Sequence, residues 1–288
     1  MQARLLYSLG VATYLLLVAC GGAPSTPSAQ QYFSDAKNNL AASDFDAALK
    51  NLDRSIKSAG EQPVGRQAGV LRVVLLTALA EGSKQMAEAY GAGVKEPAAQ
   101  TRFGHFGRMR ADYYGIARVR LMDAMQAVMD QRGKMGDKPI PLEVTFPGFT
   151  GAEDTAVAKV KKGYAVEDAE RYRAELKADR NALARTLAAL VGAGNDPNKG
   201  QQMFSRGSIE LDPRAYLIEL SSAFLQLGGI FERRALDESR YLRAVNEVVR
   251  DNMDLALKLI AARPDKDLEA RARKMRGECE KTLKTLGP

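Results

Sequence analysis

Ten residues, Val70 to Leu79 (VLRVVLLTAL), constrain this chain more than any other stretch. Only Arg72 and Thr77 interrupt the apolar run. At 3.6 residues per turn it covers almost three turns, so a helix carrying it is apolar on every side. Such a helix must be surrounded by other elements or it will not stay in water. The surrounding pattern extends it from Gln67 to Tyr90 as one long helix, the expected centre of the fold.

The rest of the chain supplies amphipathic partners for it. Apolar residues recur at spacings of three and four across 32–58, with a break at Ser43-Asp44 that divides the segment into two helices. Tyr32, Ala36 and Leu40 are expected on one face of the first, and Phe45, Ala48, Leu52 and Ile56 on one face of the second. A further helix is expected from Ala98 to Gln131, carrying Phe103, Phe106, Met109, Tyr113, Ile116, Leu121, Met125 and Val128, with Gly104, Gly107 and Gly115 expected at close helix contacts or a kink. Glu153 to Tyr164 reads as a short helix. Val166 to Val191 reads as a long one, with Ala169, Tyr172, Leu176, Leu183, Leu187 and Leu190 on its seam and Arg180 interrupting it. Pro213 is placed as a first helical residue after Asp212, and helices follow to Leu227, from about Phe231 to Ala262, and from Asp265 to Leu286.

Two connections break the pattern. Gly133 to Gly151 holds three prolines and an alternating Leu142, Val144 and Phe146, which exclude a continuous helix and predict a loop packed over the core. Gly192 to Asp212 is the second. Strand signals are almost absent. The expected class is therefore all-α, an irregular helical-hairpin bundle with two long irregular loops, forming a single domain over 32–288.

The run Ser43 to Ile56 (SDFDAALKNLDRSI) resembles the middle of a tetratricopeptide repeat, in which an acidic-aromatic pair turns the chain and a small residue lets two helices approach closely. Tyr32, Ala36, Phe45, Ala48 and Leu52 match that pattern. Asp35, Asn39 and Ser55 depart from it, and Gly60 and Pro63 stand in place of the closing proline. A fainter copy covers Tyr241, Ala244, Val248, Met253, Ala256 and Ile260, followed by Arg263-Pro264. Two separated copies do not make a stacked array, so a tetratricopeptide-like hairpin inside a larger helical domain is expected.

The amino terminus sets location. A short basic head, Met1 to Arg4, precedes the mostly apolar Leu5 to Val18, the order of a secretory signal. As a helix that run spans roughly 21 Å, short of the ~30 Å hydrocarbon core. Leu17-Val18-Ala19-Cys20 closes it and resembles the lipobox of bacterial lipoproteins. The resemblance implies a signal peptide over 1–19, cleavage after Ala19, and lipid modification of Cys20, with palmitate among its acyl chains. It also implies attachment to the membrane through that lipid, since two or more chains hold stably. Gly21 stands where an aspartate favours inner-membrane retention in Gram-negative members, which points to the outer membrane with the domain facing the periplasm. From Cys20 to Gln31 the chain reads as a flexible tether of Gly, Ser, Thr, Pro and Gln, its last eleven residues reaching about 35–40 Å when extended. No second apolar stretch near eighteen residues stands out, and the domain is expected to hang in water from its lipid.

With Cys20 committed to lipid, Cys279 is left alone, and no disulfide is expected; Cys279 reads as a small buried hydrophobe. The formal charge of +7 is too small an excess for a nucleic-acid footprint, and export argues further against such a partner.

No reaction is written in the sequence. His105 is the one histidine, flanked by Gly104 and Phe106, with no serine elbow or nucleophilic cysteine to serve it. One histidine and one spare cysteine do not furnish a zinc site. Asn195 to Gly200 with Phe204 has a superficial likeness to the opening of a c-type cytochrome, but without Cys-x-x-Cys-His it is a turn. The acidic pairs Glu153-Asp154, Glu167-Asp168 and Asp237-Glu238 fall near helix starts, and Glu167 and Arg171 are spaced for a surface ion pair. Arg102, Arg108, Arg110, Arg118 and Arg120 scatter around their helix, whereas Arg233, Arg240, Arg243 and Arg250 cluster with Glu232 and Glu247 on a mixed solvated face. The expectation is a protein that is not an enzyme, with no catalytic residue, cofactor or metal: a lipid-anchored envelope protein that binds another envelope protein or acts as an assembly adaptor. The alternative is a ligand-binding or accessory component of a periplasmic solute transporter, because a lipid-anchored helical chain of this length is similar in architecture to the T component of tripartite periplasmic transporters.

Overall fold

The computed structural model describes residues 27–60, 62–143, 154–192, 194, 196, 198–199, 202, 208–231 and 238–287. Nine α-helices and one small two-stranded sheet make up the regular structure among them, so the class is all-α. Cys20, the signal segment, Val144, Phe146, Phe204, Glu153, Arg233, Glu232 and Asp237 lie outside the described residues.

The apolar run folds as expected into the longest helix, α3 (Pro63–Gly93), with proline at its first turn. It packs against α1 (Ala29–Ala41), α2 (Phe45–Ala59), α4 (Phe103–Arg132), α5 (Thr155–Lys161), α6 (Asp168–Leu190) and α7 (Pro213–Gly228). Val70, Val73, Val74, Ala78 and Ala80 lose all their exposure. Thr77, one of the two interruptions, is buried without cost because its hydroxyl donates to the Val73 carbonyl at 2.8 Å. The other, Arg72, reaches out to an ion pair with Asp53 of α2. By length and composition α3 could cross a membrane, which the sequence reading missed; 72% of its most apolar window is buried among the other helices, as befits a core element.

The first two helices pair across a three-residue turn at Ala42 to Asp44, where the sequence places a break. Helix α1 starts at Ala29, inside the stretch read as tether, because Ser28 caps it by accepting from the Gln31 amide at 3.2 Å. Ala29 is buried, and its carbonyl accepts from the Ser55 hydroxyl at 2.8 Å. Ser55, a departure from the repeat pattern, thus ties the two helices together. The buried aromatic of α1 is Phe33, not Tyr32, whose ring lies half-exposed against Arg54.

A 3₁₀ turn, Pro97–Arg102, replaces the expected start of the next helix and leads into α4. Phe106, Tyr113, Leu121, Met125 and Val128 face inward as expected, while Phe103 and Ile116 are exposed. The two irregular connections meet: β1 (Ile140–Glu143) runs antiparallel to β2 (Ser208–Leu211), with Ile140 opposite Leu211 and Leu142 opposite Ile209. Ile140, Leu142 and Leu211 are buried, so the ribbon covers the core, as the alternating apolar residues suggest, but as a sheet the sequence barely signalled.

The carboxy-terminal part folds as α7, a 3₁₀ turn Gly229–Phe231, α8 (Glu238–Ala262) and α9 (Lys266–Thr285), with α8 packed on both α7 and α9. Asp212 caps α7 through the Arg214 amide. Arg132, ending α4, donates to Asn252 Oδ1 at 3.0 Å, Asp251 at 3.1 Å and the Val248 carbonyl at 2.7 Å, and Asn252 donates to Ser221 of α7 at 3.1 Å. One guanidinium thereby joins three helices. Cys279 is buried as expected, and burial raises its thiol to about 11, which keeps it protonated and inert.

Gly104, Gly107 and Gly115 do not mark close contacts: a Cβ at any of them would meet nothing within 4 Å. The close approaches belong to α3 instead, where a Cβ would overlap Gln131 at Gly69, Asp179 at Gly82, and the Val160 carbonyl and Phe106 ring at Gly93. Opposite outcomes are expected from the two sets. Gly107→Ala should raise unfolding stability by about 0.5–1 kcal/mol through backbone entropy, whereas Gly93→Ala should lower it by about 1–3 kcal/mol through overpacking, both read from urea midpoints.

Candidate functional site

A cleft of about 440 Å³ opens where the α1–α2 turn, α3, α4 and α6 converge, lined by Ser43, Asp44, Phe45, Asp46, Leu79, Arg120, Tyr172, Glu175, Leu176 and Asp179 among others. Its rim is set by how the chain turns. The Ser43 amide donates to the Leu40 carbonyl at 3.0 Å and the Asp44 amide to the Asn39 carbonyl at 2.9 Å, the paired bonds of a Schellman helix end. That motif needs a left-handed residue, and Ser43 supplies it at φ 62° where glycine is usual. Its hydroxyl accepts from Arg180 Nε at 2.7 Å, an anchor that offsets the strained backbone. Asp44 then caps α2 through the Ala47 amide at 3.1 Å. Arg180, which interrupts the apolar seam of α6, is what fixes the turn against that helix.

The second half of the α6 seam, Leu183, Leu187 and Leu190, is buried as the apolar pattern placed it, but the first half is not. Ala174, Ala178 and Ala182 with Leu183, Leu187 and Leu190 are buried, while Tyr172 is 59% exposed and Ala169 faces solvent. Tyr172, Glu175, Leu176 and Asp179 form a separate stripe at helical spacing that faces the cleft. Tyr172 makes its lip.

Two carboxylates of that stripe differ in what holds them. Glu175 accepts a short hydrogen bond from the Tyr113 hydroxyl and lies 3.6 Å from Arg171. Tyr113 stacks on Tyr90 with ring centroids 5.7 Å apart. Burial first, and then the bond to Glu175, raises the Tyr113 hydroxyl well above its ordinary range, so it stays a donor; burial likewise raises Tyr90. Asp179 makes no hydrogen bond or ion pair among the described residues. Its carboxyl packs into the notch left by Gly82, which puts it against α3 and leaves the residue partly buried. Burial pushes it up to about 8; Glu175 and Asp46 add to the shift, and Arg120 opposes it without being able to cancel it. Arg120 is itself held by Asp46 at 2.9 Å. An acid in a cleft, desolvated and without a partner, makes Asp179 a candidate functional-site residue.

The residues singled out in the sequence scatter. His105 is half-buried and edge-on to Tyr90 at 6.5 Å, a packing position. Arg110 lies over Tyr114, Arg118 over Tyr241 and Arg120 on Asp46, three different partners as their spacing implies. Arg243 pairs with Glu247 at 3.5 Å and Arg250 with Asp251 at 2.8 Å, consistent with a mixed solvated face. Glu167 does not pair with Arg171, which turns instead to Asp168 at 2.8 Å and to Glu175, because Glu167 stands at the helix cap. Sequence reasoning missed Glu175 and Asp179. Their i, i+4 spacing was visible, but the depth of Asp179 depends on Gly82 in a distant helix.

The raised acid makes stability fall with pH. Folded Asp179 keeps its proton to about 8 while an unfolded one loses it near 3.8, so the folded state holds the extra proton between them. The folded state is unpenalised below the lower value, loses ground as pH rises, and is fully penalised above the upper one. Asp179→Asn should therefore be near neutral at pH 4 and stabilising by ~2–4 kcal/mol at pH 8.5, measured by urea unfolding at both.

Comparison with protein-family models, with curated proteins and with solved structures gives no match to this chain, so its cleft is interpreted from its own geometry.

Proposed function

We propose that this chain is a lipid-anchored protein of the cell envelope, held through Cys20 and facing the periplasm from the outer membrane, whose helical domain binds another envelope protein as an adaptor. Leu17-Val18-Ala19-Cys20 after a short apolar run supports the anchor. The observation that carries the binding role is the cleft beside the α1–α2 turn. It combines an exposed aromatic, Tyr172, with apolar Phe45, Leu79 and Leu176 and a partnerless acid, Asp179. Aromatic anchors beside desolvated polar groups are the features that carry energy at protein interfaces.

The paired helices α1 and α2, tied by Ser55 and turned by a short acidic-aromatic link, support a tetratricopeptide-like hairpin, a unit that presents concave surfaces to peptides.

Photo-crosslinking in intact envelopes tests the proposal. A crosslinking residue at Tyr172 should capture one defined envelope protein, and the yield should fall at least tenfold when Cys20→Ala releases the chain from the membrane; the same residue at exposed Lys258 of α8 should capture little of it. Equal capture from both positions, or none from lipidated protein at Tyr172, overturns the adaptor reading.

A further inference from the structure

Asp179 is a group with nothing to do in the folded chain. Every other charge around it has a partner. From α2, Asp46 pairs with Arg120 of α4 at 2.9 Å. From α6, Glu175 takes the Tyr113 hydroxyl and sits near Arg171, and Arg180 donates to Ser43. Asp44 caps α2. Helix α3 offers only Leu79 and the bare backbone at Gly82. A desolvated carboxylate without a partner is unfavourable unless it takes up a proton or meets a cation.

We infer that the cleft binds an alkylammonium or guanidinium group, the head of a lysine or arginine side chain, seated on the Asp179 carboxylate between Glu175 and the ring of Tyr172. The inference rests on the reading of this cleft as the docking face and names what the face recognises. Four of the five charged residues lining it are acidic, Asp44, Asp46, Glu175 and Asp179 against Arg120, although the chain as a whole carries +7. Tyr172, exposed at the lip, offers a ring face to a cation. Phe45, Leu79 and Leu176 offer apolar wall for a methylene stem, which suits a long basic side chain better than a compact ion. Among the described residues no three acidic, histidine or cysteine side chains converge as metal ligands.

An arriving cation replaces the proton on Asp179. Binding is thereby linked to pH: an acid titrating near 8 is ionised in about nine molecules of ten at pH 9 and one in a hundred at pH 6, so apparent affinity should drop about 90-fold between them. The ligand's own ammonium, with a pKa near 10.4, stays charged throughout.

The experiment is calorimetric titration of the detergent-solubilised full chain with n-butylammonium, with the peptide acetyl-Ala-Ala-Lys-Ala-Ala-amide and with its glutamine counterpart, at pH 6 and pH 9. Saturable binding of the lysine peptide is expected at pH 9, weaker by about 90-fold at pH 6, and absent for the glutamine peptide. Asp179→Asn should lose at least tenfold of it while keeping its helical circular dichroism, and Tyr172→Ala should lose part. A peptide that binds at least tenfold tighter than butylammonium assigns the cation to a polypeptide; equal affinities keep the cation site but assign it to a free amine and remove support from the docking reading. No saturable binding at pH 9, equal binding by the glutamine peptide, or unchanged binding by folded Asp179→Asn overturns the inference, and crosslinking at Tyr172 would then stand as docking without a cation.

Discussion

Burial of α3 on every side is the constraint from which the remaining architecture follows. A helix apolar around its whole circumference needs neighbours in all directions, and the chain provides α2, α4 and α6 as the main ones, with α1, α5 and α7 completing the sheath. Neighbours on all sides cannot all be reached at ordinary spacing. The helix therefore carries notches at Gly69, Gly82 and Gly93, each accepting an atom from a different neighbour. Alanines on α6 meet it with equally small side chains. The core divides along this one helix: the larger cluster surrounds its first part, and a smaller one, with Met86, Tyr90, Phe106, Tyr113 and Val160, surrounds its end. The cleft opens near the boundary between them, where α6 passes from one cluster to the other.

Packing and polarity are joined at Gly82. Had the helix an alanine there, the Asp179 carboxyl would have to move toward water, and its proton affinity would fall toward that of an ordinary aspartate. The same notch that lets α6 lie close also desolvates the acid. A second joint lies at the hairpin turn, where Ser43 adopts the left-handed backbone that glycine takes at most helix ends and recovers part of the cost by accepting from Arg180. A glycine would relax the turn and lose the tie to α6. The serine thus trades local ease for a fixed distance between the hairpin and the acidic stripe, which is the kind of positioning a binding cleft requires.

Much of the helical order was legible because periodicity is a local property. The central helix, the break at Ser43-Asp44, the proline start of α7 and the buried Cys279 all follow from residues read within a turn or two of each other. What escaped depends on distant partners. The glycines of α4 and α3 look alike in the sequence, yet only those of α3 have helices pressed against them. Tyr172 and Leu176 fit an apolar seam by spacing, but Ala174, Ala178 and Ala182 were the residues small enough to be taken inward. The ribbon of β1 and β2 joins two loops whose strand signal is weak, a short alternation at Leu142 in the first, because each strand is stabilised by the other and by the core beneath.

The placement of the acid against the charge of the whole molecule bears on recognition. A chain with an excess of seven positive charges repels cations at long range and is drawn to anionic surfaces. An acidic cleft in such a chain acts only at short range, within about 8–10 Å at physiological salt. A basic segment reaching it must be delivered by contacts other than attraction from afar. The lipid attachment proposed through Cys20 would supply that delivery by confining the domain to a thin layer beside the membrane, where partners anchored in the same surface would meet it at high effective concentration. On the proposed reading the cleft and the anchor are complementary: the anchor would provide encounter, and the neutral acid, ionised when a cation displaces its proton, would provide discrimination between a basic side chain and the many groups that pass by.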